Sequence, residues 1–235
     1  IKVPQNIPKW DIDPYSMDVL INPIKFFNAL REKGPFVYLN KYKMLACGRY
    51  KETKEVFSDH KRFVSSRGVG IQDFELEKPW RPPSLVLEVD PPEHTKNRRF
   101  LSRALSPNKI AQLKDFFKDC ADKLINELLQ KKEIDGILDL AEIFPTRVFP
   151  EAVGLKKIDK ETLLGYGAMV FNAPAPIMSF EQNVMAKGLS VLQKINKRCL
   201  EENIDAKGLA KVIYQSTADS PEEEHLAGML VTSLL

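Results

Sequence analysis

Cysteine is scarce in this sequence: Cys47, Cys120 and Cys199 are its 3 cysteines in 235 residues, far apart and without C-x-x-C spacing. That pattern excludes a disulfide framework or a zinc module and reads as reduced, mostly buried thiols of a cytoplasmic protein. Long apolar runs are also missing. No stretch reaches the ~20 residues a spanning helix needs, so no membrane partner is expected. The opening IKVPQNIPKW has no apolar signal core, and no signal peptide is expected. An excess of one charge is absent as well: 35 Lys and Arg face 32 Asp and Glu, a net charge of +3. With no recognition motif beside it, so small an excess ranks nucleic-acid binding low. What is there is an ordinary soluble composition, 43% hydrophobic and 29% charged, over a length that allows one or two domains with ample core.

Residues 1–21 read as an extended, proline-punctuated segment on the surface. Asn22 caps a helix from Pro23 to Lys33 with Ile24, Phe27 and Leu30 as its apolar face, and Gly34-Pro35 ends it. PFVYLN and MLACG form a hairpin, and Tyr50 to Ser58 a second short helix. From Phe63 to Leu85 no period is sustained, and Gly68, Gly70 and prolines mark a long irregular loop of the kind that is usually functional or mobile. Ser106-Pro107 opens a helix with Ile110, Leu113, Phe117, Cys120, Leu124 and Leu128 on one stripe. Further helices are expected over 137–153 (interrupted near Pro145 and Pro150), 159–171, 181–199 and 208–214. A final helix follows these, with Ser220 as the cap, Pro221 the first residue and Glu223 the capping-box acid. It turns steadily more apolar and ends on Leu234-Leu235 without a helix stop signal, so it is expected to be cut mid-helix.

The densest run is KPWRPPSLVLEVDPPEHTKNRRF, Lys78 to Phe100. Pro82 and Pro83 fix φ and withhold donors, so its first half cannot be helix. Pro91 and Pro92 suit a helix start, with Asp90 as cap and Glu93 complementing the dipole. On that helix His94 and Arg98 stand at i, i+4, one turn apart on one face. Two such donors suit an anion with two oxygens, such as a carboxylate. The plain alternative is a basic, solvated helix start, and spacing alone favours it.

The run SLVLEVDPPEHTKNRR resembles the start of the C helix of bacterial cytochrome P-450 enzymes, whose D-P-P-x-H-T-x-x-R pattern falls here on Asp90, Pro91, Pro92, His94, Thr95 and Arg98. SSRGVG, KPWRPPS, DLAEIFPTRVFPEAVGL and VFNA follow the same family in the same order, so the resemblance spans nearly the whole chain. It is closest to the soluble group that oxidises para-substituted benzoic acids. The resemblance implies a mainly α fold with a small β-sheet: the N-terminal part of the P-450 fold, helix A to the start of helix I, as a single incomplete domain over 1–235. It implies haem b as cofactor, with His94 and Arg98 donating to the propionates. It implies that the irregular loop closes one side of the pocket. Arg81, Ser84 and Ser233 would help hold the acid's carboxylate, and Leu87 and Phe171 would pack its ring. The alternatives are that Ser84 caps a turn, Ser233 packs between helices and Phe171 is core. Pro174 and Thr232 depart from the group's aromatic and arginine at those places, which leaves the particular acid open.

Lys96, Arg99 and Arg103 form a patch that would steer an acidic iron–sulfur ferredoxin, itself served by a reductase, or else a merely solvated face. The family's axial cysteine follows a Phe-x-x-Gly run, which none of the three cysteines has. No metal ligand is therefore assigned here. The whole protein is expected to hydroxylate or oxidatively demethylate a small aromatic acid with O2, while this stretch alone should be inactive. The rival class is a haem-free remnant that binds a small carboxylate without catalysis.

Overall fold

The computed structural model of the chain describes residues 3–79, 81–155, 157–172, 182–218 and 224–235, with side chains described in all of these but 182–187 and 224–225. The expected caps at Ser220 and Glu223, the first-turn Pro221, and Trp80 and Pro174 lie outside the described residues. The fold is mainly helical with a three-stranded sheet, and the chain divides into two compact units, Ile1–Lys78 and Pro79–Leu235.

In the first unit, β2 (Val37–Leu39) pairs antiparallel with β3 (Met44–Ala46) in the register Val37↔Ala46, Tyr38↔Leu45, Leu39↔Met44. This is the hairpin expected from the sequence. A third strand, β1 (Lys9–Trp10), pairs parallel on the other side of β2 and was not expected, because two residues are too short to show alternation. Val37 and Leu39 point inward and Tyr38 stays half-buried, as a strand's period of two requires. Three helices follow, none with a side-chain cap: α1 (Met17–Ile21), which turns helical the end of a segment read as extended, then α2 (Pro23–Lys33) and α3 (Tyr50–Ser58). The bounds of α2 and α3 are those expected, but α2 turns a different face inward. Phe26 and Leu30 are buried while Ile24 and Phe27 are exposed. The cause is β1, whose Trp10 stacks on Phe26 with ring centroids 5.4 Å apart and draws that position into the core. Asn22 precedes α2 but makes no side-chain cap bond. The irregular stretch after α3 is ordered by Arg67, which donates through Nε to Asp73 Oδ1 at 2.9 Å and pairs with Glu75 at 2.6 Å.

The second unit is helical. α4 (Glu93–Ala104) is followed by α5 (Pro107–Gln112) and α6 (Lys114–Leu128), so the stripe read as one helix is two, divided at Leu113. Only its far end, Leu124 and Leu128, is buried. Next comes a π-helical turn, Gly136–Ala141, capped by Asp135, whose Oδ1 accepts from the Ile137 and Leu138 amides at 2.8 and 2.9 Å. α7 (Ile143–Val153) carries Pro145 in its first turn, where a missing N–H costs nothing, and continues through Pro150. α8 (Lys160–Asn172), α9 (Gln182–Arg198), a 3-10 turn (Glu201–Asn203), α10 (Leu209–Thr217) and α11 (Glu224–Thr232) complete it.

The core of this unit gathers Leu101 and Ala104 of α4, Val153 of α7, Ile195 of α9, Ile213 and Tyr214 of α10, and Ala227, Leu230 and Val231 of α11. The apolar run of α11 is thus a core-facing stripe packed on α9 and α10. The Tyr214 hydroxyl donates to the Cys199 carbonyl at 2.6 Å, satisfying a polar tip inside that core. α7 ends on Gly154 in the left-handed region, φ 87°, whose carbonyl accepts from Asp205 N at 2.7 Å. There the backbone crosses Gly208 so closely that a Cβ on Gly208 would overlap the Gly154 Cα and the Val153 carbonyl. Gly208→Ala should therefore force a backbone shift and destabilise the protein by roughly 1–3 kcal/mol, the range for overpacking. A urea melt should show the drop in midpoint; an unchanged midpoint would mean that the crossing has room.

Candidate functional site

The chain between Arg81 and Glu88 folds back on itself around one carboxylate. Glu88 is 4% exposed, and a carboxylate so far from water needs donors on both oxygens. Arg81 supplies two in a fork: Nη1 donates to Oε2 at 2.8 Å and Nη2 to Oε1 at 3.0 Å. The Ser84 amide adds a third, to Oε2 at 2.7 Å. Arg81 Nη1 also donates to the Pro82 carbonyl at 2.9 Å. Ser84 Oγ in turn accepts from the Val86 and Leu87 amides at 3.3 and 3.1 Å. Val86 plugs the core, and Asn97 of α4, itself buried, donates from Nδ2 to the Leu85 carbonyl at 2.7 Å. The loop is closed at its base, pinned in the middle and tied to α4.

Because Ser84 Oγ already receives two amides, its remaining capacity is to donate. Among the described residues no acceptor takes that proton. Ser84 does cap a turn, as the plain reading had it, and its hydroxyl proton is left over. Glu88 was missed from sequence; the available signal was one acid inside the apolar run LVLEV, seven residues after an arginine.

α4 begins later than expected. Pro91 and Pro92 form a turn joined by a cis peptide, the helix starts at Glu93, and no side chain caps it, so Asp90 is not the cap. Asp90 still contributes its carbonyl, which accepts from the His94 amide at 3.0 Å. Asn97, Leu101 and Ala104 face the core. At 100° per residue, His94 lies about 20° and Arg98 about 60° from Leu101, both on the same flank of the buried stripe. His94 is half-buried and Arg98 exposed. Among the described residues neither side chain has a hydrogen-bond or ion-pair partner. By contrast Arg62, Arg67, Arg81 and Arg147 each grip a carboxylate. Two uncommitted N–H donors about 40° apart on one helix edge are the donor set that the two carboxylate arms of a porphyrin need. The residues present therefore fit a haem's propionate edge.

Lys96, Arg99 and Arg103 lie on the opposite flank, within about 60° of one another and about 100–160° from Arg98, all exposed. One helix thus carries two separate basic faces. Phe171 stands 87% exposed at the end of α8, so it is not core, and Leu87 is 59% exposed on the loop. Ser233, just past α11, is exposed and donates to the Met229 carbonyl at 3.0 Å. Thus Arg81, Ser84 and Leu87 lie on the loop that Asn97 ties to α4, the helix that carries His94 and Arg98. No hydrogen bond among the described residues ties Ser233 to that loop, and Phe171 sits on a different helix.

The cysteines behave as thiols. Cys199 is fully buried, and burial pushes its pKa up to about 11. Cys47 lies 3.7 Å from the Thr53 hydroxyl, and Cys120 is half-buried on α6. Among the described residues no group of three or more His, Cys, Asp or Glu side chains could hold a metal ion. No described helix is long and apolar enough to cross a membrane.

The sequence profile of the cytochrome P450 family matches residues 20–151, and the chain belongs to that family. Cytochrome p450 CYP199A2 of Rhodopseudomonas palustris is 42% identical over 232 residues, covering 97% of this chain and 56% of that protein. Cytochrome P450 109 of Bacillus spizizenii is 29% identical over 144 residues, 61% of this chain and 33% of that one. Among solved structures, the heme domain of Acinetobacter radioresistens CYP116B5 superposes with a TM-score of 0.74 at 16% identity, over 95% of this chain and 58% of that one. Epothilone D-bound cytochrome P450epoK gives 0.72 at 18% identity, over 96% and 59%. These two share the fold. The chain spans about half the length of the curated relatives it matches.

The raised pKa of Cys199 has a direct consequence. With its pKa pushed up to about 11, its thiol stays almost wholly protonated at pH 8, so iodoacetamide should label Cys47 and Cys120 first and reach the buried Cys199 only on unfolding. Mass mapping of the alkylated peptides checks this; early labelling of Cys199 would contradict its burial.

Proposed function

We propose that this chain supplies the propionate-binding and substrate-facing parts of a cytochrome P450 monooxygenase that hydroxylates or oxidatively demethylates a small aromatic carboxylic acid in the cytoplasm. The observation that carries the reading is the pair of donors on one edge of α4, His94 and Arg98, neither with a side-chain partner among the described residues. Both would hold haem b by its propionates. Haem bound through a cysteine thiolate supplies the oxygen-activating chemistry. None of Cys47, Cys120 and Cys199 would serve as that ligand, so these residues alone should not turn over, and the two compact units would form parts of one larger domain.

The substrate class is supported by the loop corner. Ser84 offers a hydroxyl proton with no acceptor among the described residues, Arg81 lies in the same loop, and the exposed Leu87 side chain provides apolar surface beside them. Phe171 and Ser233 would complete the pocket, packing the ring and holding the acid respectively. A half-buried donor that meets a bound carboxylate would discriminate acids from neutral analogues, because mismatch leaves a polar group unpaired. The outward face of Lys96, Arg99 and Arg103 would receive an acidic iron–sulfur ferredoxin, served by its reductase, by charge complementarity.

The natural full-length gene product decides the cofactor. Reduced and exposed to carbon monoxide, it should show the thiolate-type Soret shift; a preparation that takes up no haem would favour a carboxylate-binding remnant instead. Replacing His94 and Arg98 together by Ala should weaken haem retention, read as transfer to apomyoglobin, by roughly tenfold or more, the worth of losing two hydrogen bonds of which one is charged. An unchanged transfer rate would remove the reading's main support.

A further inference from the structure

We infer that Glu88 is a positioning residue for acid recognition: its buried carboxylate sets Arg81 and Ser84 in one fixed arrangement, so the protein's preference for a carboxylate over a neutral analogue depends on a residue that does not touch the substrate. The inference rests on the reading of a small aromatic acid as substrate. Three donors converge on Glu88, two from the Arg81 guanidinium and one from the Ser84 amide, at 2.7 to 3.0 Å. The same residue closes the turn through its own amide, which donates to the Ser84 carbonyl at 3.2 Å. Ser84 is therefore held from both its N–H and its C=O by one side chain and its backbone. With Oγ receiving the Val86 and Leu87 amides, the direction left for the hydroxyl proton is set by that turn. The guanidinium fork is likewise committed, so a substrate carboxylate would not meet Arg81 through the edge that Glu88 holds.

Electrostatics gives this a usable sign. Removing the negative charge of Glu88 would by itself free the positive charge of Arg81 and make a nearby anion bind more tightly. Releasing Ser84 and the loop from their fixed geometry would make it bind less tightly. A loss of acid affinity in Glu88→Gln thus runs against the Coulomb trend and reports position.

The test uses the full-length gene product and equilibrium dialysis, with 4-methoxybenzoate and its neutral partner 4-methoxybenzamide as probes. The unmodified protein should prefer the acid. Glu88→Gln should weaken acid binding about tenfold while the amide moves less than twofold, and Glu88→Asp should recover part of the loss. Tighter acid binding would make Glu88 a charge brake and overturn the proposal. Equal losses for both probes, or no change in either, would overturn it too. If the unmodified protein shows no preference for the acid, the substrate reading itself fails, which is a different result from a preference that survives Glu88→Gln. Should Glu88→Gln not fold, Asn97→Ala cuts the other tie on the same loop. It should cost the acid about threefold and spare the amide, and a loss shared by both probes would overturn the proposal.

Discussion

A carboxylate cannot be taken out of water without donors to replace the water, and that constraint on Glu88 organises the corner on which the functional reading stands. Arg81 and the Ser84 amide meet it, and in doing so they bring residues 81–88 into a closed turn. Val86 can then plug the core, and Asn97 can bind the Leu85 carbonyl. α4 is joined to the same corner, since Val86 shares a core cluster with Leu101 and Ala104 and Asn97 binds the loop, while α10 packs on the helix as well. Once the buried stripe of α4 is fixed, helical period alone puts His94 and Arg98 on one flank and Lys96, Arg99 and Arg103 on the other. On the proposed reading, cofactor edge, substrate loop and partner face would all follow from this one local arrangement.

The two basic faces of α4 differ in what the chain leaves for a ligand. His94 is half-buried beside the core stripe, so an anion there meets an imidazole partly shielded from water, and each hydrogen bond is worth more than at the surface. The cations of the other flank are exposed, where charge acts mainly through steering and is screened within about a Debye length of 8–10 Å. On the proposed reading, one short helix would bind a cofactor with one side and meet a transient partner with the other.

Much of this was legible before any coordinates. Pro23 after Asn22 and Gly34 after Lys33 are strong punctuation, and α2 has the bounds they imply. The i, i+4 spacing of His94 and Arg98 needed only that α4 be a helix. What was not legible has physical causes. β1 is a two-residue strand that leaves no alternation, and through Trp10 it selects Phe26 over Phe27 as the inward residue. The start of α4 slipped past Asp90 because two adjacent prolines formed a turn of their own. Glu88 was hidden because a charged residue inside an apolar run has no period of its own, and the partner that makes it tolerable lies seven residues upstream. Local chemistry shows in spacing, whereas a buried ion pair shows only once the chain has folded back.

The central claim, that the uncommitted edge of α4 grips the acidic arms of a porphyrin, is tested most directly by an experimental structure of the full-length gene product with its haem. The account predicts a ring nitrogen of His94 and a guanidinium nitrogen of Arg98 within about 2.7–3.2 Å of propionate oxygens. A structure in which that edge faces solvent, with the porphyrin held elsewhere, would contradict it.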